Sequence, residues 1–126
     1  MKRIIYLILA LCFSSVSFAQ KTTGAKIAAE ITDYDFGVIK EVDGKVSYTF
    51  VVRNDGSKPM VITRVVSACG CTVPEYQTDP IEAGKSSDIK VTFDPTGRPG
   101  PFVKTIAVYS NGKDGSFILR IKGVVE

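Results

Sequence analysis

Apolar and polar residues alternate along most of the chain after residue 26. In the segment SDIKVTFDP, for example, Ile89, Val91 and Phe93 fall on one face, and the residues between them are charged or polar. A period of two indicates strands that bury one face and leave the other in water. We predict strands at residues 27–31, 35–39, 46–53, 60–66, 71–75, 87–93, 102–109 and 116–125.

Turn-forming residues separate these strands. The breaks are VDGK, NDGSKP, EAGK, DPTGRPGP and SNGKDGS. Turns of this kind every 8–12 residues or so are typical of a sandwich or barrel. The pattern predicts an all-β, immunoglobulin-like antiparallel β-sandwich of seven to eight strands. The chain has no tryptophan and no cysteine pair with inter-sheet spacing, so aliphatic and phenylalanine side chains must form its core.

The first 19 residues have the composition of a secretory signal peptide. The cationic start MKR precedes an apolar run, IIYLILALCF, that is too short to span a membrane. Small residues at Ser17 and Ala19 mark a cleavage site, so we expect cleavage between Ala19 and Gln20. Two alternatives stay open, namely a retained N-terminal anchor helix and a lipoprotein acylated at Cys12.

Cleavage would leave a polar lead-in, residues 20–26, which we expect to be flexible, and one domain, residues 27–126. No later segment is apolar over the length of a membrane span. The expected location is therefore outside the cytoplasm, either in the periplasm or secreted.

The charge distribution gives no sign of a nucleic-acid partner. The chain has 16 basic and 13 acidic residues, a net charge of +3, and Lys2 and Arg3 belong to the predicted signal. The other charges alternate in sign and form no basic run of the kind that follows a phosphate backbone.

The common catalytic arrangements are missing from the sequence. The chain has no histidine, which is the usual general base of serine and cysteine hydrolases. Its carboxylates are scattered, and the glycine-rich DPTGRPG precedes a predicted strand rather than a phosphate-binding helix. We therefore expect a protein that is not an enzyme and holds no resident cofactor.

Several motifs resemble one bacterial family. They are DFG, FVVRNDGSKP, CGCT, IEAG and GRPG. Together they resemble the exported family catalogued as domain of unknown function 1573, which is similar in turn to Hydin-like (ASH) and PapD-like immunoglobulin folds. The resemblance runs from about Ile31 to Val125. It implies a seven- to eight-stranded sandwich in the bacterial envelope, and it implies no activity.

Cys69 and Cys71 are the cysteines that remain after cleavage, with only Gly70 between them. In a straight strand their Cα atoms would lie about 6.6 Å apart, near the upper limit for a disulfide, but a glycine lets the backbone kink. An oxidising compartment favours a local disulfide, structural or redox-active. Three alternatives stay open, namely buried thiols packed as small apolar groups, a thiolate pair for copper or zinc, and an intermolecular disulfide.

Arg98 lies in a loop that prolines and glycines make stiff. It is either a solvated charge or a contact to a partner, since arginine forms bidentate pairs with carboxylates and is frequent at interfaces. Tyr76 and Phe102 are two further candidates for such a contact.

The leading hypothesis is a non-catalytic exported module for protein–protein interaction or envelope assembly. Its partner would be another envelope or secreted protein, reached through the CGCT and GRPG loops or by strand addition at a sheet edge. The alternative is a thiol-redox or copper- or zinc-handling protein that uses Cys69 and Cys71.

Overall fold

The computed structural model describes residues 24–113 and 115–126. The predicted signal, with its cleavage site at Ala19 and Gln20, and residues 20–23 of the lead-in lie outside the described residues. A short 3-10 turn, Glu41–Asp43, follows the second strand. The strands are β1 (Ile27–Ala28), β2 (Asp33–Ile39), β3 (Val46–Asn54), β4 (Ile62–Ser67), β5 (Thr72–Tyr76), β6 (Ser86–Phe93), β7 (Gly100–Ser110) and β8 (Ser116–Val125).

The strands form two four-stranded sheets. One sheet has the order β1-β3-β6-β5 and the other has the order β2-β8-β7-β4. This is the strand order of a constant-type immunoglobulin domain, with the first strand divided between the sheets. The predicted all-β, immunoglobulin-like sandwich is therefore confirmed. No helix in the described part of the chain is long and apolar enough to cross a membrane.

One pair of strands departs from the predicted antiparallel pattern. β1 pairs antiparallel with β3, but β2 pairs parallel with β8. The chain changes sheets between Ala28 and Asp33, and the predicted strand 27–31 ends at that crossing. The chain then continues in the same general direction, so β2 runs parallel to β8, the last strand.

Aromatic side chains join the two sheets at this crossing. The Tyr34 ring of β2 stacks on the Tyr48 ring of β3, with 3.7 Å between the ring centroids. Phe36 meets Tyr34 edge-on, and Phe50 meets Tyr48 in the same way. Edge-to-face and stacked pairs stabilise a protein beyond their buried area, so this cluster holds the sandwich together where β1 stops pairing.

The core is aliphatic and phenylalanine-rich, as predicted. Ile89, Val91 and Phe93, which alternate along β6, are all 0% exposed. The largest buried apolar side chains are Phe50, Phe93, Met60, Ile62, Ile89, Ile106, Leu119 and Ile121.

The lead-in joins the fold earlier than predicted. Ala25 is only 7% exposed, and the Gly24 carbonyl accepts the Ser57 N–H at 2.8 Å. The Lys26 carbonyl accepts the Asp55 N–H, also at 2.8 Å. Residues 24–26 are thus fastened to the turn that follows β3.

Asn54 organises that turn from inside the protein. Its side chain is 0% exposed. The Oδ1 atom accepts the N–H groups of Lys26 (3.3 Å) and Gly56 (2.9 Å). The Nδ2 atom donates to the carbonyls of Lys58 (2.7 Å) and Ile81 (2.9 Å). One side chain therefore joins the residue before β1, the turn after β3 and the segment before β6.

Candidate functional site

Several loops meet at one end of the sandwich, which we call the cysteine pole. It consists of the turn at residues 40–45, the β4–β5 turn at residues 68–71, the β6–β7 loop at residues 94–99, and Glu126. Both loops that the sequence analysis singled out, CGCT and GRPG, therefore lie at the same pole.

Hydrogen bonds fasten these loops to one another. The Glu41 N–H donates to the Glu126 carbonyl at 2.9 Å, and Glu41 Oε1 accepts the Gly97 N–H at 2.8 Å. The Asp94 N–H donates to the Cys71 carbonyl at 2.8 Å. The pole is thus held in place by the backbone and by one carboxylate.

Cys69 and Cys71 are joined in a disulfide within the β4–β5 turn. Their Cα atoms are 5.2 Å apart, closer than in a straight strand, because the Thr72 N–H donates to the Cys69 carbonyl at 3.1 Å and closes a turn. Gly70 is not among the glycines with positive φ, and a Cβ on it would meet nothing within 4 Å. The kink therefore comes from an ordinary turn rather than from a conformation reserved for glycine.

The two cysteines differ in their surroundings. Cys71 is 8% exposed, whereas Cys69 is only partly buried. The Cys71 N–H donates to Cys69 Sγ at 3.2 Å, and Thr72 Oγ1 lies 3.7 Å from Cys71 Sγ. Each sulfur atom thus has a polar neighbour, and Cys69 is the more accessible of the two.

A hollow lies on each side of the disulfide. The hollow beside Cys69, of about 360 Å³, includes Val103 and Lys104 of β7. The hollow beside Cys71, of about 210 Å³, includes Lys45 and Asp94. Both sulfur atoms are used in the disulfide, so a copper or zinc site made of their thiolates would require reduction first. Within the described ranges, no cluster of three or more His, Cys, Asp or Glu residues could hold a metal.

Arg98 lines a third hollow at the pole, of about 480 Å³. The Phe102 ring forms part of this hollow and stacks on Phe93 with 4.1 Å between the centroids. Phe102 is only 8% exposed, so its ring is part of the core as well as part of the lining of this hollow. Phe102 thus lies near Arg98, and its candidacy as a contact residue stays a prediction.

Tyr76 is not brought close to Arg98. It pairs with Ile89, whereas Thr72, at the other end of the same strand, pairs with Phe93, which lies beside the Arg98 loop. Four residues of extended strand span about 13 Å, so Tyr76 lies toward the far end of β5. Of the three predicted contact residues, the structure places only Arg98 at the exposed surface of the pole.

Asp94 shapes the loop that carries Arg98. Its Oδ1 atom accepts the Thr96 hydroxyl at 2.7 Å and the Thr96 N–H at 3.0 Å. These hydrogen bonds, and to a smaller extent the charges of Lys45 and Arg98, lower the pKa of Asp94. The carboxylate therefore stays ionised and continues to hold the loop in mildly acidic solution.

An apolar surface beside this loop was missed by the sequence reasoning. Val38, Val124 and Pro101 lie in register on β2, β8 and β7, and Val103 follows on the same face of β7. Val38 is 62% exposed, Val103 is 63% exposed and Val124 is 39% exposed. We call these four residues the valine patch. Its signals in the sequence are three pairs of adjacent apolar residues, VI at 38–39, FV at 102–103 and VV at 124–125, in each of which one member must face outward.

The family assignment rests on a match over nearly the whole described chain. The model of a protein of unknown function, DUF1573, matches residues 27–125. The chain belongs to the DUF1573 family. This confirms the family resemblance drawn from the motifs, and no curated protein sequence matches the DUF1573 chain.

Solved structures share the fold of this DUF1573 protein at low sequence identity. A protein of unknown function from Porphyromonas gingivalis W83 is similar with a TM-score of 0.70 and 16% identity, over 87% of this chain and 51% of the other. The VesB protease of Vibrio cholerae gives 0.61 and 13%, over 81% and 31%. A family 123 glycoside hydrolase from Clostridium perfringens gives 0.51 and 12%, over 82% and 27%.

These likenesses show the fold and nothing more. The DUF1573 chain spans about half the length of the Porphyromonas protein, 51%, and 31% and 27% of the two enzymes. The sandwich therefore matches only a part of each of these longer chains.

Proposed function

We propose that this DUF1573 protein is an exported, non-catalytic immunoglobulin-like module that binds another envelope or secreted protein through the valine patch and the Arg98 loop. The observation that carries the proposal is the row of exposed aliphatic residues that lies in register across β2, β8 and β7. The proposal requires no cofactor.

The composition of the surface suits a protein partner. Contiguous exposed apolar residues rimmed by polar ones are typical of interaction sites. Val103 lies opposite Lys122 of β8, and Arg98 lines the same hollow as Pro101 and Val103. Protein interfaces have few charged residues at their centre and are enriched in arginine, and both features are found here.

The cysteine pole would present this surface with little loss of entropy on binding. The Glu41 and Asp94 hydrogen bonds already fix the turn and the loop next to the patch. Ordering of loops and side chains is one of the main costs of association. A preorganised loop therefore supports a binding role.

The edge of β5 is a poor alternative site for strand addition. The Asp94 N–H donates to the Cys71 carbonyl, so from Cys71 onward the peptide groups of every second residue point toward β6. The peptide groups of the residues between them, including Pro74, point toward the free edge of β5. Pro74 has no N–H to offer, and the Thr72 N–H is already donated to the Cys69 carbonyl. Proline in this position is a known way to blunt an edge. We therefore favour docking on the sheet face.

The test is capture of a partner by matched variants. We expect the purified protein to capture a specific protein from the periplasmic or secreted fraction of the source organism. Val103→Gln should weaken that capture about tenfold, because one buried valine contributes about 1.5 kcal/mol. The control is Val51→Gln, which alters a 54% exposed valine on the other sheet. Equal capture by both variants would contradict the proposed surface.

A second candidate, thiol-redox activity, is favoured by one specific observation, the disulfide closed across a single residue. Copper or zinc handling is a further form of this second candidate function, and it requires the reduced dithiol. Titration of the reduced chain with zinc or copper(I) should show a site that Cys69→Ser abolishes if this alternative holds. A reduced chain that binds neither metal would eliminate the metal-handling form.

A further inference from the structure

We propose that the Cys69–Cys71 disulfide exchanges with thiols of a partner protein or a small thiol, with Cys69 Sγ as the attacked atom and Cys71 as the leaving thiolate. This inference rests on the second candidate function, thiol-redox activity, and gives it a mechanism; it does not depend on docking through the valine patch. Four features of the turn and its surroundings support this exchange.

The first feature is that the fold does not need this bond. A disulfide stabilises a protein mainly through the size of the loop that it closes in the unfolded chain, and this one encloses a single residue. The turn is already held by backbone hydrogen bonds, from Thr72 to Cys69 at 3.1 Å and from Asp94 to Cys71 at 2.8 Å. Opening the disulfide therefore leaves the β4–β5 connection in place.

The second feature is the difference in access between the two sulfur atoms. Cys71 is 8% exposed, packs with the core and lines the smaller hollow, of about 210 Å³. Cys69 is only partly buried and lines the larger hollow, of about 360 Å³. An incoming thiolate therefore reaches Cys69 Sγ from the side of β4 and β7. Attack at Cys69 makes Cys71 the leaving group.

The third feature is a cation in the entrance. Lys104 of β7 lines the hollow beside Cys69, and in the described part of the chain no carboxylate lies within ion-pair distance of it. Its ammonium group is thus available to attract an incoming thiolate and to stabilise a Cys69 thiolate. Lys104 also lines the Arg98 hollow, so the entrance favours an acidic peptide or thiol.

The fourth feature is a hydrogen-bond donor beside each sulfur atom. The Cys71 N–H donates to Cys69 Sγ at 3.2 Å, and the Thr72 hydroxyl lies 3.7 Å from Cys71 Sγ, where it can donate to a thiolate. Hydrogen bonds to an ionised sulfur stabilise the charged form. Both thiolates that the reaction produces are therefore accommodated.

The reaction balances as two successive exchanges. A thiolate attacks Cys69 Sγ, a mixed disulfide forms, the Cys69–Cys71 bond breaks, and Cys71 Sγ leaves with the electron pair and takes up a proton. A second thiolate, from the same dithiol or from a second small thiol, attacks the partner sulfur of the mixed disulfide and releases Cys69. The thiols are oxidised by two electrons to a disulfide, and the cysteine pair is reduced to a dithiol.

The test uses glutathione on the full chain. Trypsin cleaves after Arg64 and Lys85, and the peptide between these sites contains Cys69 and Cys71 without Cys12. Folded oxidised protein is treated with reduced glutathione, quenched with acid, alkylated and digested. We expect reduction of the pair in the folded state, with the trapped glutathione located on Cys69 by fragmentation.

Monothiol variants test the assigned roles. In Cys71→Ser, Cys69 should form a mixed disulfide with oxidised glutathione at least tenfold faster than Cys71 does in Cys69→Ser. Lys104→Gln in the Cys71→Ser background should slow this reaction severalfold, and Lys104→Arg should restore it. The matched control, Lys90→Gln, removes an exposed lysine from β6 in the other sheet and should leave the rate unchanged.

Three results would overturn the proposal. They are a disulfide that glutathione opens only after the protein is unfolded in urea, glutathione found equally on both cysteines, and equal rates for the two monothiol variants. None of these bears on capture through the valine patch, so failure of the exchange and failure of the proposed function are distinguishable.

Discussion

At the scale of single residues, Asn54 shows how one polar side chain secures an apolar fold. Both functional groups of its amide are fully used, with two N–H groups bound to Oδ1 and two carbonyls bound to Nδ2. Removing the side chain would leave these backbone groups without partners, two of them fully buried. The cost of such unpaired groups exceeds the gain from making the hydrogen bonds.

We predict that Asn54→Ala lowers the free energy of unfolding by about 3–5 kcal/mol. The matched control is Asn111→Ala, since Asn111 also makes two hydrogen bonds to backbone, but is exposed. Water can replace its contacts, so the loss should be about 1 kcal/mol. Urea unfolding of both variants measures the difference, and equal losses would contradict the role assigned to Asn54.

The sequence indicated some of these residue roles and missed others. The NDGSKP segment predicted the turn after β3, because its residue types favour turns locally. The buried hydrogen bonds of Asn54 to residues 26 and 81 depend on contacts distant in sequence, which a local pattern does not contain. The stacking of Phe102 on Phe93 was missed for the same reason, because only the sheet pairing reveals it.

At the scale of elements, the junction of β2, β8 and β7 depends on close backbone approach. Asp35 Oδ1 accepts the Gly37 N–H at 2.8 Å, and Gly37 takes a φ of 70° where β2 shifts register against β8. A Cβ on Gly123 of β8 would lie 2.8 Å from the Gly37 carbonyl oxygen and 2.9 Å from the Phe102 ring. The DFG motif and Gly123 therefore form one packing unit.

We predict that Gly123→Ala destabilises the protein by about 1–3 kcal/mol, because a backbone carbonyl and a packed ring must move apart. Gly70→Ala is the control, since its Cβ would meet nothing within 4 Å, and it should change stability by less than about 0.5 kcal/mol. Thermal unfolding distinguishes the two. A large loss from Gly70→Ala would show that the cysteine turn needs glycine after all.

The β6–β7 loop should respond to acid through Asp94. Hydrogen bonds from Thr96 lower the pKa of this carboxyl, so its contribution to stability is complete above the unfolded pKa of about 3.9 and is lost as the pH falls through the lower folded value. Thr96→Val should raise the pKa of Asp94 toward its ordinary value. Carboxyl NMR titration measures this shift, and an unchanged pKa in the variant would contradict the stated cause.

At the scale of the whole molecule, the sequence predicted the strands well but not their arrangement. Alternation shows which face of a strand is buried, as for Ile89, Val91 and Phe93, but it does not show which strands pair. The parallel pairing of β2 with β8 follows from the crossing after Ala28, and the valine patch exists only once Val38, Val124 and Pro101 are in register. The disulfide was one of several open alternatives because its geometry depends on the turn.

The sandwich should also fold without its disulfide. For the variant with both Cys69→Ser and Cys71→Ser, we predict a loss of no more than about 2 kcal/mol, since the bond closes a very short loop. Circular dichroism and urea unfolding would show a folded protein. A double variant that fails to fold would mean that the bond is a structural staple and would weaken the case for exchange.

The central claim is that the outer face of β2, β8 and β7 at the cysteine pole is the docking surface. The most direct test is site-specific photo-crosslinking in living cells, with a benzophenone amino acid placed at Val103 and, in a separate strain, at Val51. We predict a discrete crosslinked product with another protein from position 103 and none from position 51. Products from position 51 alone, or no product from either position, would contradict the account.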